Sequence, residues 1–483
     1  MQPDFDIIII GAGPAGMAAA IEAKAHGASV CVLDEQPTPG GQIYRNVMKA
    51  SPRQDKILGA DYRAGRSLTK DFMASGAIIH ARVTVWSVTV AGTVTFSENG
   101  HTRQLYARHI ILATGAMERP VPLPGWTLPG TMTAGAAQIL MKSGAMVAQG
   151  AVLVGCGPLL YLVAAQMLQA GTPPKALVET QTRHDMVAAL RHINGAVRGW
   201  RQLLKGLSLI ARLKVAGVRR FKAASTIEII GSHTTQAVRF RAGGETHQIE
   251  TETVLLHQGV VPNTQITRSL RLEHSYDQAQ HCFHPVTDRY GQSSHPMVSI
   301  AGDGAGIGGA KVAALSGRIT ALNAVLRLDI LTEDQRNIHA APFLISRQRE
   351  LAIRPFLDTL YPPSETVLRP DNDTIICRCE EVTAGDIRRY ASLGCTGPNQ
   401  TKSFGRSGMG PCQGRFCGLT VTELLAAETG QTQDQVGAYR IRSPLKPVTL
   451  QELAELANIK DEKADDHRKT THIRPHEQNR QVQ

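Results

Sequence analysis

The chain begins with a hydrophobic strand that runs straight into a glycine-rich turn and a helix. The predicted strand covers residues 6–10, the turn is Gly11-Ala12-Gly13-Pro14-Ala15-Gly16, and the helix covers residues 17–25. This is the G-x-G-x-x-G pattern in the strand–turn–helix setting that a dinucleotide site requires. Gly11 permits the tight turn, Gly13 lets the backbone approach a pyrophosphate, and Gly16 lets the helix pack against the strand. We therefore expect a parallel α/β sheet with phosphates at the helix N-terminus.

An acidic residue follows the second predicted strand, which covers residues 29–33. Asp34 stands where a carboxylate accepts hydrogen bonds from the adenosine ribose of a bound dinucleotide. Glu35 is the neighbouring alternative.

Three further segments favour FAD over NAD as the dinucleotide. Gly41 and Gln42 belong to a loop that can run under a flavin, and Thr114 and Gly115 end a strand that returns to the nucleotide. Gly302-Asp303 could bring a carboxylate to the flavin ribitol. Residues 1–330 resemble the glutathione and thioredoxin reductase superfamily, which implies two Rossmann-like dinucleotide-binding domains.

The second of these domains is predicted to have an altered nucleotide site. Gly155-Cys156-Gly157-Pro158-Leu159-Leu160 repeats the turn, and Glu179 ends the next strand. Leu160 occupies the third glycine position, where its bulk opposes close packing beside a pyrophosphate. We expect the fold to survive and nicotinamide binding to be lost, although Glu179 would suit NAD rather than NADP. No C-x2-C or C-x4-C motif lies beside either fold, which argues against disulfide reductase chemistry.

Four of the eight cysteines form two close pairs near the C-terminus, Cys377 with Cys379 and Cys412 with Cys417. Such pairs can place four thiolates around a soft metal centre. The C-x-C and C-x4-C spacings favour a [2Fe-2S] cluster, with zinc or a structural role as the alternatives. The turn-rich flanks predict that each pair lies on an exposed loop. The segment resembles the bacterioferritin-associated-ferredoxin-like [2Fe-2S] domain, which implies these four residues as ligands.

The predicted class is thus α/β, with two Rossmann-like domains followed by a small helical [2Fe-2S] domain. The expected boundaries are residues 1–130 and 265–330 for the FAD domain, 131–264 for the second domain, 331–373 for an irregular connector, 374–430 for the cluster domain, and 431–483 for an extended arm and a disordered tail from about Lys460. Helices are expected over residues 384–393, capped by Thr383, and 419–429.

Charge and composition limit the partners and the compartment. The net charge is +11, and ten Lys or Arg residues against one acid fall between Gln181 and Lys222. A solvated basic face is the favoured interpretation; a helix that meets an anionic membrane or an acidic partner subunit is the alternative. Nucleic acid is not expected, because no recognition motif accompanies the charge. The chain lacks a run of roughly 20 apolar residues and a basic leader, so we expect a cytoplasmic protein with at most peripheral membrane contact.

Short runs of sequence sharpen the resemblance. Asp34-Glu35-Gln36-Pro37, Gly40-Gly41-Gln42-Ile43-Tyr44-Arg45 and Gly410-Pro411-Cys412-Gln413-Gly414-Arg415 are similar to the alpha-type subunits of heteromeric amine dehydrogenases. That group includes the corresponding large subunits of octopine and nopaline oxidases and of hydrogen cyanide synthase, and the alpha subunits of proline and hydroxyproline dehydrogenases.

The resemblance implies a division of labour between subunits. A beta subunit of the D-amino-acid or sarcosine oxidase type would take hydride from the C–N bond of an opine or amino acid. The present chain would pass the electrons through FAD and [2Fe-2S] to an acceptor. Further candidate components are an FMN at the subunit interface and a small third subunit.

The residues themselves agree, because no catalytic acid or base can be assigned: His257, His274 and His281 are interpreted as structural or solvated. A stand-alone NAD(P)H-dependent flavin and iron–sulfur reductase is the alternative, and a zinc-containing regulatory or scaffolding protein is a third class.

Overall fold

The structure is a computed structural model, and it describes residues 2–457. The tail expected from about Lys460 lies outside the described residues. The strands, in chain order, are β1 (Phe5–Ile10), β2 (Val30–Asp34), β3 (Ile78–Ala81), β4 (Val83–Val88), β5 (Thr93–Glu98), β6 (His101–Leu112), β7 (Ala116–Glu118), β8 (Thr131–Thr133), β9 (Val152–Cys156), β10 (Ala176–Glu179), β11 (Arg219–Phe221), β12 (Ser225–Ile230), β13 (Ala237–Ala242), β14 (Glu245–Glu250), β15 (Val254–Gln258), β16 (Val260–Pro262), β17 (His274–Asp277), β18 (Cys282–Pro285), β19 (Val298–Ile300), β20 (Ile375–Cys377) and β21 (Val382–Thr383).

The helices are α1 (Pro14–Ala25), α2 (Pro52–Leu58), α3 (Ala60–Ala74), α4 (Ala134–Gly144), α5 (Pro158–Gln169), α6 (Arg183–Ala189), α7 (Ile193–Arg198), α8 (Trp200–Val215), α9 (Gln265–Ser269), α10 (Ala310–Arg327), α11 (Glu333–Leu351), α12 (Arg354–Leu360), α13 (Glu365–Leu368), α14 (Ala384–Ser392), α15 (Pro398–Gly405), α16 (Gly418–Thr429) and α17 (Gln433–Val436). None of the helices in the described part of the chain is both long enough and apolar enough to cross a membrane.

The first sheet has the order β3-β2-β1-β6-β5-β4, and β19 pairs with β6. Its nucleotide-binding part is parallel: Ile9 stands between Val32 of β2 and Ile111 of β6. The isoleucine run of β1 is buried on both faces, as a parallel strand covered by helices requires. One covering layer contains α1 and α10, which touch so closely that a Cβ on Gly317 would lie 2.1 Å from the carbonyl oxygen of Ala15. The parallel α/β expectation is confirmed.

The second sheet, β11-β10-β9-β15-β8, is parallel throughout and repeats this arrangement. It is inserted between β7 and β16, which pair with each other antiparallel, with Val261 opposite Met117. The chain therefore leaves the first fold and returns to it through adjacent strands. We call this pair of strands the hinge. The meander β12-β13-β14 completes this part of the chain.

The connector is helical rather than irregular, so that expectation was wrong. It contains α11, α12 and α13, and Pro342 lies inside α11. Thr332 caps α11, since its hydroxyl accepts from the backbone N–H of Gln335. Phe343 packs with the buried Ile319 of α10 in a separate small core. Tertiary packing of this kind outweighs the single hydrogen bond that an internal proline removes.

The C-terminal segment folds as expected at its two main helices. Thr383 caps α14 in a reciprocal capping box with Asp386, and α16 covers the predicted second helix. The extended arm packs on the first fold: the backbone N–H of Leu445 donates to Trp86 O at 2.7 Å, and Lys446 Nζ lies 2.7 Å from Glu35 Oε1.

Candidate functional site

The N-terminal glycines form a turn that admits no side chains at two positions. Gly11 has φ +106°, and a Cβ there would lie 2.5 Å from the carbonyl oxygen of Ala113. A Cβ on Gly16 would lie 1.8 Å from the carbonyl oxygen of Gly11. Both glycines are therefore dictated by close backbone approach, as expected for a turn that receives a pyrophosphate.

The other predicted flavin segments converge on this turn. The backbone N–H of Gly40 donates to Ala12 O at 2.8 Å, and a Cβ on Gly41 would lie 2.8 Å from the Cα of Gly13. Gly302 approaches from the opposite side, since a Cβ there would lie 2.7 Å from the side chain of Ala15. We call the turn Gly11–Gly16, together with Gly41 and Gly302, the glycine cradle.

Thr114 and Gly115 lie where the first fold meets the hinge. Thr114 Oγ1 donates to Asn263 O at 3.3 Å, and the backbone N–H of Asn263 donates to Gly115 O at 3.0 Å. A Cβ on Gly304 would be 3.6 Å from both residues, so this strand end adjoins the Gly302-Asp303 turn. The structure thus brings all the predicted flavin segments to one edge of the first sheet.

The two candidate acids after β2 face different ways. The Asp34 carboxylate is buried and accepts from the backbone N–H groups of Ala12 and Gln36. Burial raises the pKa of Asp34, while those two hydrogen bonds lower it. Glu35 points away and binds Lys446 of the C-terminal arm. Of the two, Asp34 is the acid that belongs to the glycine cradle.

Asp303 shapes the loop before α10. Its Oδ1 accepts from the backbone N–H groups of Gly308 and Gly309, both at 3.0 Å. Its Oδ2 has no hydrogen-bond partner within residues 2–457. The sequence predicted a role for this carboxylate. It did not predict that one of its oxygens accepts hydrogen bonds from the backbone just before α10.

A buried lysine beside the Gly41-Gln42 loop was not predicted. Lys142 of α4 is 3 % exposed, and its Nζ donates to Gln42 O at 3.0 Å and to Gln138 Oε1 at 2.7 Å. Burial, helped by the positive charge of Arg45, lowers the pKa of Lys142 to about 7. No sequence signal separates such a lysine from a solvated helix lysine, because its burial comes from segments far apart in the chain.

The acid of the second nucleotide fold is already engaged. Glu179 is completely buried, and Arg220 Nη2 lies 2.6 Å from its Oε1. Burial raises the pKa of Glu179, and the charge of Arg220 opposes that rise. Leu160, at the altered glycine position, is also fully buried.

The connector covers the crevice at the carboxyl ends of this second sheet. Cys156 Sγ, at the end of β9, donates to Pro362 O at 3.3 Å, and the backbone N–H of Ser364 donates to Gln258 Oε1, at the end of β15, at 3.2 Å. The Tyr361 ring lies 6.3 Å from that of Tyr161. A dinucleotide binds such folds at the carboxyl ends of the strands. Residues 361–364 occupy that place here.

The four C-terminal cysteines meet as two pairs of thiols. Cys379 Sγ lies 4.0 Å from Cys412 Sγ, and the thiols of Cys377 and Cys417 hydrogen-bond each other. Two thiolates on one tetrahedral metal ion, at ~2.3 Å each, would lie roughly 3.8 Å apart. The expectation of exposed loops was wrong for one cysteine of each pair. Cys377 and Cys417 are buried, because Cys377 ends β20 and Cys417 directly precedes α16 within the core.

The surroundings of Cys377 favour its thiolate, whereas the hydrogen bond with Cys377 raises the pKa of Cys417 and burial raises the pKa of Cys379. The hydrogen bond from Cys417, followed by backbone N–H groups of Gly408, Glu380 and Cys379, lowers the pKa of Cys377 to about 6. A Cβ on Gly410 would lie 2.8 Å from Cys379 Sγ, so only glycine fits there. Within residues 2–457, no group of three or more His, Cys, Asp or Glu side chains is placed to hold a metal ion.

The three notable histidines are buried or held by neighbouring groups. His257 Nδ1 lies 2.7 Å from Glu118 Oε1, and His274 Nδ1 lies 2.7 Å from Leu272 O. Burial lowers the pKa of His274 to about 3, so it stays neutral at ordinary pH. Burial also lowers the pKa of His281. These surroundings support a structural interpretation of the three side chains.

Comparison with known families divides the chain in the same way as the fold. Residues 5–317 match the pyridine nucleotide-disulphide oxidoreductase family, and residues 372–456 match the sarcosine oxidase A3 domain. The second match extends beyond residue 430, the expected end of the cluster domain. The packing accounts for this extension, since Tyr439, Ile441 and Leu445 are buried in the same core as Cys377 and Cys417.

Relatives match along nearly the whole chain. The A subunit of opine oxidase from Agrobacterium tumefaciens (strain Ach5) is 44% identical over 94% of this chain and 92% of its own length. The HcnB subunit of hydrogen cyanide synthase from Pseudomonas aeruginosa is 32% identical over 91% and 96%. The crystal structure of L-proline dehydrogenase from P. horikoshii superposes with a TM-score of 0.68 at 17% identity, over 93% of this chain and 79% of that one. This last likeness concerns the fold alone.

Proposed function

The chain belongs to the family of opine oxidase A subunits within the pyridine nucleotide-disulphide oxidoreductases and is an oxidoreductase subunit; we propose that it is the electron-transfer subunit of a heteromeric dehydrogenase. The substrate bond would be the C–N bond of an opine, such as octopine or nopaline, or of an amino acid. The observation that carries the proposal is the presence, on one chain, of a flavin-type glycine cradle and of four cysteine thiols in two pairs.

The glycine cradle would hold FAD. Gly11, Gly13, Pro14, Ala15 and Gly16 would receive the pyrophosphate, and Asp34 rather than Glu35 would bind the adenosine ribose. The loop and strand-end residues of the cradle edge would line the remaining length of the cofactor; they are Gly41, Gln42, Thr114, Gly115, Gly302 and Asp303. The free Oδ2 of Asp303 supports this assignment, because it is an acceptor left for a ligand hydroxyl.

The paired thiols of Cys377, Cys379, Cys412 and Cys417 would hold [2Fe-2S]. Two pairs of thiols suit a two-iron centre better than a single zinc ion. The backbone N–H groups around Cys377 would stabilise its thiolate, as amide hydrogen bonds do at iron–sulfur centres. A flavin exchanges electrons in pairs and an iron–sulfur cluster exchanges them singly, so together they supply the conversion that an electron-transfer subunit needs.

Substrate oxidation would take place on a partner. We assign no catalytic residue to this chain, since His257 and His274 are held by neighbouring groups. The partner would be a beta subunit of the D-amino-acid or sarcosine oxidase type, and an FMN at the interface and a small third subunit would complete the complex. The cysteine pattern, with no disulfide framework, favours the cytoplasm.

The alternative of a stand-alone NAD(P)H-dependent reductase is disfavoured by the covered second fold. A nicotinamide dinucleotide would have to displace residues 361–364, and Arg220 already neutralises Glu179. We therefore expect no binding of NADH or NADPH at this sheet.

The test is an anaerobic titration of the chain, purified alone and co-expressed with a beta subunit, after assay of flavin, iron and acid-labile sulfide. We expect bound flavin and two irons per chain. We also expect no bleaching by NADH, and bleaching by an opine or proline only when the partner is present. Direct and complete reduction by NADH would overturn the proposal in favour of the reductase, and a colourless zinc protein would favour the regulatory class.

A further inference from the structure

A cavity separates the hinge from the loop that carries two of the four cysteines. It is lined on one side by the hinge and the start of α9 and on the other by residues between Cys412 and Cys417. The centres of water molecules can occupy about 60 Å³ of it. One water needs only roughly 10–15 Å³ on this measure, so the cavity has room for a small polyatomic group. Its polar lining includes Asn263, Gln265, Arg268 and Arg415.

The Arg268 guanidinium keeps hydrogen-bond donors that no other described residue uses. Its Cζ lies 4.6 Å from the centre of the Phe283 ring, and its Nε donates to Thr264 Oγ1 at 3.3 Å. Its two terminal nitrogens have no partner, and it forms no salt bridge within residues 2–457. Burial lowers the pKa of Arg268 to about 10, with no acid to oppose that effect.

Arg415, which is half-buried, lines the same cavity. Its Nε is buried with no hydrogen-bond partner, and no carboxylate of the described residues pairs with its guanidinium. The side-chain amide of Gln265, a buried residue, also has no hydrogen-bond partner in that part of the chain.

Buried charges in proteins are normally paired, because removing a cation from water is costly unless an anion compensates it. Here two guanidinium groups share a cavity that no carboxylate lines. Guanidinium groups match the geometry of phosphate oxygens and bind them through paired hydrogen bonds. Two guanidinium groups without a carboxylate partner match a phosphate dianion better than a singly charged carboxylate.

We propose that this cavity is a phosphate-binding site in which Arg268 and Arg415 hold inorganic phosphate or the phosphate monoester of a small ligand. The phosphate would lie against the loop between Cys412 and Cys417 and beside Asn263, which bonds to Gly115 of the cradle edge. The site would be distinct from the glycine cradle, whose phosphates are received by backbone amides.

The first experiment is isothermal titration of the full-length chain with inorganic phosphate, at ionic strength held constant with chloride. The glycine cradle is kept saturated with FAD so that inorganic phosphate does not bind there. Under these conditions we expect one phosphate to bind per chain. Arg415→Gln and Arg268→Gln should each weaken binding at least tenfold. Arg241→Gln, at an exposed position on β13, is the matched control and should leave binding unchanged.

A second arm identifies the source of the phosphate. FMN and riboflavin differ only by the phosphate. If the site takes a phosphate monoester of this kind, FMN should bind at least tenfold more tightly than riboflavin, and Arg415→Gln should remove that difference. Binding of inorganic phosphate without a preference for FMN would support free phosphate, and acetate should compete with neither.

Absence of phosphate binding by the unmodified chain, or undiminished binding by both variants, would overturn the proposal. A stability measurement separates this role from a structural one. Without phosphate, Arg268→Gln should melt at the same temperature as the unmodified chain or higher, because it removes an uncompensated charge, whereas a structural arginine would give a lower melting temperature. These readouts need neither activity nor the cluster, so their failure would leave the electron-transfer proposal standing.

Discussion

At the scale of single residues, the candidate sites depend on side chains whose neighbours come from distant parts of the sequence. Asp34 and Glu35 are adjacent, yet one enters the glycine cradle and the other binds Lys446. The cysteines differ in the same way, since Cys377 is buried and Cys379 is exposed. Residue type set the chemistry at each position, and long-range contacts set its environment.

Cys412→Ser should remove the cluster and leave the flavin bound, because serine is a poor ligand for iron and the cradle is separate from the cysteines. The measurement is iron and acid-labile sulfide content together with flavin absorbance. Cys395→Ser is the matched control: Cys395 is buried and donates to Gly397 O, a bond that a serine hydroxyl can also make. Unchanged iron content in Cys412→Ser would refute the ligand assignment.

Lys142→Met should change how stability depends on pH. The folded pKa of Lys142 is about 7, below its ordinary value of 10.5, so the folded chain binds fewer protons than the unfolded chain between those values. The contribution of Lys142 to stability therefore rises with pH across this window, by on the order of 1 kcal/mol per pH unit.

The variant lacks this dependence, so its melting temperature relative to the unmodified chain should be higher at pH 7 than at pH 9. Lys70→Met, at an exposed position on α3, should show no such trend. Parallel pH profiles for the unmodified chain and Lys142→Met would contradict the assigned burial cost.

At the scale of elements, one aromatic side chain organises the cysteine loop. Tyr439 is buried, and its hydroxyl bonds to Ser407 and Thr401. Its ring lies so close to Gly408 and Gly414 that a Cβ on either would approach within 2.6 Å. The segment after α17 is therefore part of the domain that carries the four cysteines, which accounts for the family match that runs to residue 456.

Gly414→Ala should lower both iron content and melting temperature, because its Cβ would meet the Tyr439 ring at 2.3 Å. Gly437→Ala is the control: it has a similar positive φ of +72°, and nothing lies within 4 Å of its Cβ position. It should show only the cost of the backbone conformation, about 1–3 kcal/mol for its φ of +72° with ψ of −155°, and keep its iron. Equal iron loss in both variants would mean that strain alone, rather than the contact with Tyr439, destroys the site.

At the scale of the whole molecule, the C-terminal arm ties the cysteine domain to the first fold. Leu445 bonds to Trp86, and the Thr102 hydroxyl donates to Glu452 O at 2.6 Å. The backbone N–H of Thr102 donates to Glu455 Oε2 at 2.7 Å. These contacts join the arm to β4 and β6 of the first sheet.

The basic helix α8 is largely exposed to solvent. Trp200 is 53% exposed and Leu207 is 61% exposed, whereas Leu213 is buried. The apolar side chains of α8 are thus only partly buried, and the choice between a solvated basic face and a surface for a membrane or an acidic partner stays a prediction.

Truncation after Arg440 should destabilise the chain by on the order of 5 kcal/mol, because it removes the buried side chains of Ile441 and Leu445. The cluster should be lost more readily than the flavin, since these residues share a core with Cys377 and Cys417. Truncation after Ala457 removes none of the described contacts and is the control. Thermal melting with iron assay distinguishes the two, and equal behaviour would show that the arm contributes nothing.

Local patterns in the sequence were enough to predict the two nucleotide folds and the pairing of the four cysteines. The tight turn of a nucleotide fold requires glycine at positions such as Gly11 and Gly16. An unbroken run of isoleucines is typical of a strand that is buried on both faces. These are local constraints, set by backbone sterics and by hydrophobic pattern over a few residues.

The surroundings of each site came from long-range packing, which no local pattern displays. The helical connector over the second sheet, the burial of Lys142 and the unpaired arginines of the hinge cavity all depend on contacts between residues more than 80 positions apart. The prolines of the connector predicted irregular structure because they lower local helix propensity, whereas packing against the small core that includes Ile319 favoured helices. The free energy of burying a charge or an apolar face depends on all the residues that surround it in the folded core. It therefore cannot be predicted from a short stretch of sequence.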